Sequence, residues 1–89
     1  MADITVKPLG AGRFRVALAD GDSTSEHEIT VPAAELERLG GGYGSAEEFV
    51  RACFGFLLER EPKESILESF EVATIGRYLP EFEERIRRA

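Results

Sequence analysis

Acidic and hydroxyl side chains are most concentrated in the run Asp-Gly-Asp-Ser-Thr-Ser-Glu that begins at Asp20. Such side chains at alternate positions are the first ligands of a twelve-residue calcium loop. The sixth position of that loop must be glycine and the twelfth glutamate, but here they are Ser25 and Val31. The pattern therefore favours a turn between two strands over a metal site.

A glycine-rich run at residues 40–45 is a second candidate, because such a run before a helix can bind phosphate through backbone N–H groups. A predicted short helix precedes the run, rather than the strand that phosphate-binding loops follow. Glu47 and Glu48 place negative charge where an anion would lie. We therefore expect a flexible connector rather than an anion site.

Cys53 and His27 are the only cysteine and histidine of the chain. A reactive thiol needs a neighbour that lowers its pKa, whereas Cys53 lies between Phe49 and Phe56 in an apolar run, which predicts burial and inertness. His27 shares the apolar parity of Ile29, which predicts packing at the end of a sheet. Catalysis by a Cys–His pair stays an alternative, and these two ligands do not make a structural zinc site.

An aromatic pair flanks a proline near the C-terminal end of the sequence. Tyr78, Leu79, Pro80 and Phe82 could present a ridge or a groove to another protein. Core packing of the last helices explains the same residues equally well. We therefore assign no catalytic, cofactor-binding or metal-binding residue, and one candidate partner surface.

Three segments alternate apolar and polar residues with the period of two that is typical of half-buried strands. They are residues 4–6, 14–18 and 29–31, and turn-forming Gly and Asp residues separate them. Short connections between such strands predict a three-stranded antiparallel meander within residues 1–31.

Helical signals dominate residues 32–89. A short helix is predicted from Pro32 to Gly40, where a left-handed glycine would end it. Ser45 and Glu48 form a capping-box signature before a strongly apolar helix that ends near Pro62. Gly55 inside this second helix costs about 1 kcal/mol relative to alanine, so we expect a neighbouring helix to pack closely against it.

The last third of the chain predicts a short helical turn at residues 63–68 and then a helical region that a proline divides. Pro80 predicts a kink or two abutting helices. The final helix places acids four residues before bases, in the order that stabilises a helix. The predicted pairs are Glu81 with Arg85, Glu83 with Arg87 and Glu84 with Arg88.

Composition bounds the classes of function. With 43% hydrophobic and 31% charged residues, the 89-residue chain is expected to fold as one domain, 1–89. The formal net charge is −6 and no third of the chain is basic, which disfavours nucleic-acid binding through Arg13, Arg15 and the C-terminal arginines. A lone cysteine, with no leader-like or 18-residue apolar run, favours a cytoplasmic protein that is not membrane-bound.

A longer string of residues carries a resemblance. The residues concerned are the run Phe-Leu-Leu-Glu-Arg-Glu-Pro at 56–62, Ser-Ile-Leu at 65–67, Phe70, Ile75, Tyr78, Pro80 and Glu81. Through them, residues 27–88, about two thirds of the chain, resemble a group of short bacterial proteins of unknown function. The resemblance implies a free-standing bacterial domain and assigns no catalytic or ligand-binding residue.

Together these patterns predict an α+β domain: a three-stranded antiparallel β-meander followed by three to four helices packed on one face. The expected function is that of a small non-catalytic cytosolic interaction or regulatory module, with a protein partner or a second copy of itself. The alternatives are a thiol-dependent enzyme or redox sensor that uses Cys53, and a nucleic-acid-binding regulator.

Overall fold

Four strands and four helices make up residues 3–87, the part of the chain that the computed structural model describes. In chain order they are β1 (Asp3–Gly10), β2 (Arg13–Asp20), β3 (Ser23–Thr30), α1 (Ala33–Leu39), α2 (Ala46–Arg60), a 3₁₀ turn (Lys63–Ser65), β4 (Ser69–Glu71), α3 (Val72–Tyr78) and α4 (Phe82–Arg87). The predicted α+β class is confirmed.

The predicted antiparallel meander is also confirmed, and two tight turns set its register. Between β2 and β3 the turn has two central residues, since Asp20 pairs with Ser23 and Gly21 has a φ of +65°. The oxygen-rich segment is thus a strand-connecting turn, as predicted. Between β1 and β2, Gly12 has a φ of +77° and its carbonyl accepts a hydrogen bond from the Val31 N–H at 2.7 Å.

The predicted strand count of three was wrong, because the part expected to be helical supplies a fourth strand. β4 pairs in parallel with β3, with Glu28 opposite Ser69 and Ile29 opposite Phe70. The sheet is therefore mixed, in the order β1-β2-β3-β4. A strand of three residues is too short to show an alternating pattern, and parallel pairing joins segments that are distant in the sequence.

Residues of alternate parity give the meander a buried face and an exposed face. The buried face carries Phe14, Val16, Leu18, His27 and Ile29. On the exposed face, Arg13 pairs with Glu28 and Arg15 with Glu26, each at 3.2 Å. Interleaved ion pairs of this kind keep one face of an antiparallel sheet in water while the other forms the core.

α2 covers the buried face, and one of the two hydrogen bonds of its predicted capping box forms, because Glu48 accepts the N–H of Gly44 rather than that of Ser45. The Ser45 hydroxyl accepts the Glu48 N–H at 3.1 Å, and the Glu48 carboxylate accepts the Gly44 N–H at 2.8 Å. The helix buries six side chains: Phe49, Val50, Cys53, Phe54, Phe56 and Leu57. Full burial of one large apolar side chain contributes about 1.5–3 kcal/mol, so this helix dominates the core.

Pro80 separates two short helices, α3 and α4, which is one of the two predicted arrangements. Two acids at the start of the C-terminal segment make ion pairs with other elements: Glu81, just before α4, with Arg60 of α2 at 3.1 Å, and Glu83 of α4 with Arg38 of α1 at 2.8 Å. Arg38 lowers the pKa of Glu83. These long-range pairs replace the predicted pairs within the helix, and the predicted partner of Glu84 lies outside the described residues.

We expected a helix to pack closely against Gly55, but none does so within the described residues. A Cβ built there would meet no heavy atom of the described chain within 4 Å, and the residue borders a shallow pocket of about 220 Å³. Gly40, in contrast, is closely enclosed. Its φ is −101°, which is not left-handed, but a Cβ there would lie 2.7 Å from Leu36 Cδ1 and 2.8 Å from the Leu36 carbonyl oxygen.

We therefore expect Gly55→Ala to stabilise the protein by about 0.5–1 kcal/mol, because alanine fits the open space and lowers the backbone entropy that folding must remove. The free energy of unfolding in urea measures this effect. Gly40→Ala is the control and should destabilise the protein, since Leu36 would have to move. A neutral or destabilising Gly55→Ala would contradict an open surface at this position.

Candidate functional site

A groove of about 450 Å³ opens where α2 ends. Its walls are the C-terminal end of α2, the segment before and within β4, and α3. The lining residues are Leu57, Glu61, Ser65, Ile66, Leu67, Phe70, Thr74, Ile75, Tyr78 and Leu79. The lining is mostly apolar, and the volume lies within the range of pockets that bind small molecules or anchor residues of peptides, about 300–1,000 Å³.

His27 positions one wall of the groove. Its Nδ1 lies 2.8 Å from the Leu67 carbonyl oxygen, and its Nε2 lies 2.8 Å from the Ser25 hydroxyl. Because a carbonyl can only accept, Nδ1 donates to Leu67, and Nε2 shares a hydrogen bond with the Ser25 hydroxyl. The ring also packs against Phe54, with the centroids 5.8 Å apart.

This role of His27 differs from the predicted one. The residue lies opposite Val16 in the middle of β3, not at the end of the sheet. Its buried position was correctly predicted, but its bond to Leu67 spans 40 residues of sequence. A pattern of alternating residues indicates which face a side chain occupies, and it carries no signal for so distant a partner.

Lys63 anchors the segment that leads to the groove. The residue is 6% exposed, and its ammonium donates to the Ser23 hydroxyl and, at 2.5 Å, to the Glu64 carboxylate. It therefore ties the 3₁₀ turn to the β2–β3 turn. Lysine is rarely buried unless paired, and the sequence carries no signal for a partner 40 residues away, so sequence analysis did not identify this contact.

The candidate partner surface is divided by the fold. Tyr78 is 74% exposed and Leu79 is half-buried, and both line the groove. Pro80 is exposed in the turn between α3 and α4. Phe82 is 1% exposed and packs edge-on against Phe56, with the ring centroids 5.2 Å apart. The structure thus brings Tyr78 and Leu79 together at the groove and places Phe82 in the core, outside the groove lining.

Leu67 completes the exposed apolar surface at the groove. It is 51% exposed, and it and Tyr78 are the two large hydrophobic side chains classed as exposed within residues 3–87. Sequence analysis did not single out Leu67. Leu67 is one of the residues that carry the resemblance to short bacterial proteins. Neither its spacing nor the composition around it indicates that this leucine is exposed.

Cys53 lies in the core and has no solvent exposure. Burial in apolar surroundings raises the pKa of its thiol, so the thiolate is disfavoured. Both ring nitrogens of His27 are bonded to Ser25 and Leu67. The structure therefore does not bring Cys53 and His27 together as a nucleophile and a base.

The glycine-rich loop, predicted to be a flexible connector, contacts the rest of the protein through Tyr43 and Gly44 near its C-terminal end. The Tyr43 hydroxyl donates to the Ile86 carbonyl oxygen at 2.8 Å, and the Tyr43 ring lies edge-on to Phe49 at 5.6 Å. The Glu48 carboxylate occupies the Gly44 N–H, which is the kind of donor that a bound phosphate would use.

Two further features are absent from residues 3–87. No group of three or more His, Cys, Asp or Glu side chains there is arranged to hold a metal ion. Nor does that part of the chain contain a helix whose length and apolar character would let it cross a bilayer.

Comparisons with protein-family models, curated proteins and solved structures find no match to this chain. The resemblance to short bacterial proteins therefore stays a prediction. The function is inferred from the shape and the lining of the groove.

For Cys53 we expect a thiol reagent such as Ellman's reagent to label the protein only as fast as the chain unfolds. Burial both blocks the reagent and raises the thiol pKa. The control is Cys53→Ala/Thr24→Cys, which places a thiol on an exposed residue of β3. If Cys53 reacted in the native protein as fast as this control, a thiol-dependent activity would become tenable again.

For His27 we expect His27→Phe to lower the free energy of unfolding by roughly 1–3 kcal/mol, because the Leu67 carbonyl and the Ser25 hydroxyl lose their partner. Native-state hydrogen exchange should also become faster in residues 66–70. Thr24→Ala, on an exposed position of the same strand, is the control and should change neither quantity. Unchanged exchange in residues 66–70 would show that His27 does not position this wall.

Proposed function

We propose that this chain is a non-catalytic interaction module that binds a segment of another protein in the groove. The observation that carries the proposal is the exposure of Leu67 and Tyr78 at the rim of a mostly apolar groove. An interface commonly draws most of its binding energy from a few aromatic or apolar residues beside a pocket that excludes water.

Tyr78 has the properties of such an anchor residue. Its ring is 74% exposed at the end of α3, and tyrosine is enriched in interfaces because it combines apolar area with a hydroxyl and few rotatable bonds. Ile75, on the same helix, is buried and holds α3 against the core. The exposed ring is therefore presented from a fixed helix.

The chemistry of the lining also supports binding over catalysis. Its polar side chains are those of Glu61, Ser65, Thr74 and Tyr78. An activated serine or threonine nucleophile needs an adjacent base that is itself oriented by a third group. The lining contains a carboxylate and hydroxyls, which can orient a ligand, but no histidine or lysine that would activate one of those hydroxyls.

The arginines on the exposed sheet face give little support to nucleic-acid binding. Arg13 and Arg15 are paired with Glu28 and Glu26. A phosphate backbone would have to compete with these carboxylates and with an overall charge of −6. The buried, lone Cys53 is compatible with the reducing cytosol in which we propose that the module works.

The test is selection of twelve-residue peptides from a random phage-displayed library on the immobilised protein. Selected peptides should bind in solution, and Tyr78→Ala and Leu67→Ser should each weaken binding by about ten-fold or more, as expected for anchor residues. Lys7→Ala, on an exposed position of β1, is the control.

The result can fail in two distinct ways. If no peptide bound in solution, the groove would not be a peptide site. If peptides bound but the Tyr78 and Leu67 variants retained full affinity, the site would lie elsewhere on the protein. Circular dichroism and urea unfolding of each variant exclude loss of folding as the cause.

A further inference from the structure

We infer that the groove selects a basic segment, one that combines apolar anchor residues with lysine or arginine. This inference rests on the proposed function and names the chemistry of its partner. It follows from the carboxylates near the groove and from the contacts that engage the nearby basic residues, Arg60 and Lys63, within the protein.

Carboxylates are concentrated in the chain that forms the groove. Residues 59–71 contain five glutamates and two basic residues. Glu61 itself lines the groove, and Glu68 is exposed and directly follows Leu67. A ligand whose apolar side chains enter the groove beside Leu67 therefore binds where Glu61 is part of the lining and Glu68 is the next residue along the chain.

Both basic residues of this stretch are engaged elsewhere. Arg60 lies over the Phe56 ring, 3.8 Å from its centroid, and pairs with Glu81. Lys63 is buried against the Ser23 hydroxyl and Glu64. In the described part of the chain, the ion pairs include neither Glu61 nor Glu68. Glu71 is also in none of these ion pairs, but of the three only Glu61 lines the groove and only Glu68 is adjacent to the exposed Leu67.

α3 also carries one cation near the groove. Arg77 is exposed and directly precedes Tyr78, but it is not among the residues that line the groove. Glu61 and Glu68 outnumber this one cation along the chain that borders the groove. A partner that placed cations along the Glu61–Glu68 wall and an apolar residue toward Tyr78 would match both the charge and the polarity of the groove.

The same charges disfavour a second copy of this chain as the occupant. Two grooves that met would bring identical acidic walls together, and each chain carries a net charge of −6. Like charges brought together in an interface are unfavourable and suppress association. The occupant that fits is therefore a segment of a different protein.

The experiment uses three displayed peptide libraries in which the same positions are apolar and vary among apolar residues. All other positions carry Lys in the first library, Gln in the second and Glu in the third. Dissociation constants of the selected peptides are measured by fluorescence anisotropy at low and at high salt. The Lys peptides should bind about ten-fold or more tighter than the Glu peptides, and the difference should shrink as salt screens the charges.

Variants that each remove one carboxylate show which residues cause the preference for Lys peptides. Glu61→Gln and Glu68→Gln should each weaken binding of the Lys peptides by about two- to five-fold at low salt, the range for an exposed ion pair. Neither should alter binding of the Gln peptides. Glu37→Gln, an exposed position on α1, is the matched control and should have no effect on any peptide.

The outcomes separate this inference from the proposed function. Equal binding of all three libraries, still dependent on Tyr78, would overturn the charge selectivity and leave the interaction module standing. Preference for the Glu peptides would also overturn it. Absence of Tyr78-dependent binding in every library would overturn both. A dimer in light scattering that Tyr78→Ala dissociates would make a second copy the occupant and refute the basic partner.

Discussion

The three phenylalanines of α2 connect its surroundings into one core. Phe49 contacts the ring of Tyr43 in the glycine-rich loop, Phe54 contacts both His27 of β3 and Phe70 of β4, and Phe56 contacts the first residue of α4. Each contact joins a part of the chain that is too small to bury its own apolar surface. The meander, the loop and the C-terminal helices therefore depend on one helix for their positions.

The groove is a consequence of the way this helix ends. Pro62 follows α2, and the chain returns to the sheet through a 3₁₀ turn and a strand of three residues. The seven-residue α3 that follows is too short to cover the whole end of α2. Leu57 and Ile66 are buried but line the groove, and Leu67 and Tyr78 extend beyond them into solvent.

Local patterns predicted the parts of the fold that local interactions decide. Alternation indicated the meander, and Ser45 with Glu48 indicated where α2 begins, because a capping box is made by residues three apart. The parallel strand β4 and the bond from His27 to Leu67 depend on residues far apart in the sequence, so periodicity carried no signal for them. The groove arises from those long-range contacts, which is why the sequence pointed to Tyr78 but not to its surroundings.

The distribution of charge shows the same division between local pattern and folded structure. Along the sequence the acidic residues are spread over every third of the chain, which indicates an even surface property. Folding changes this, because the arginines at positions 38 and 60 pair with Glu83 of α4 and with Glu81 just before it. These two acids thus have cationic partners within the protein, while Glu61 and Glu68 are in none of the ion pairs of the described residues. Acidic residues that are evenly spread along the sequence thus leave unpaired carboxylates near the groove, where Leu67 and Tyr78 are also exposed.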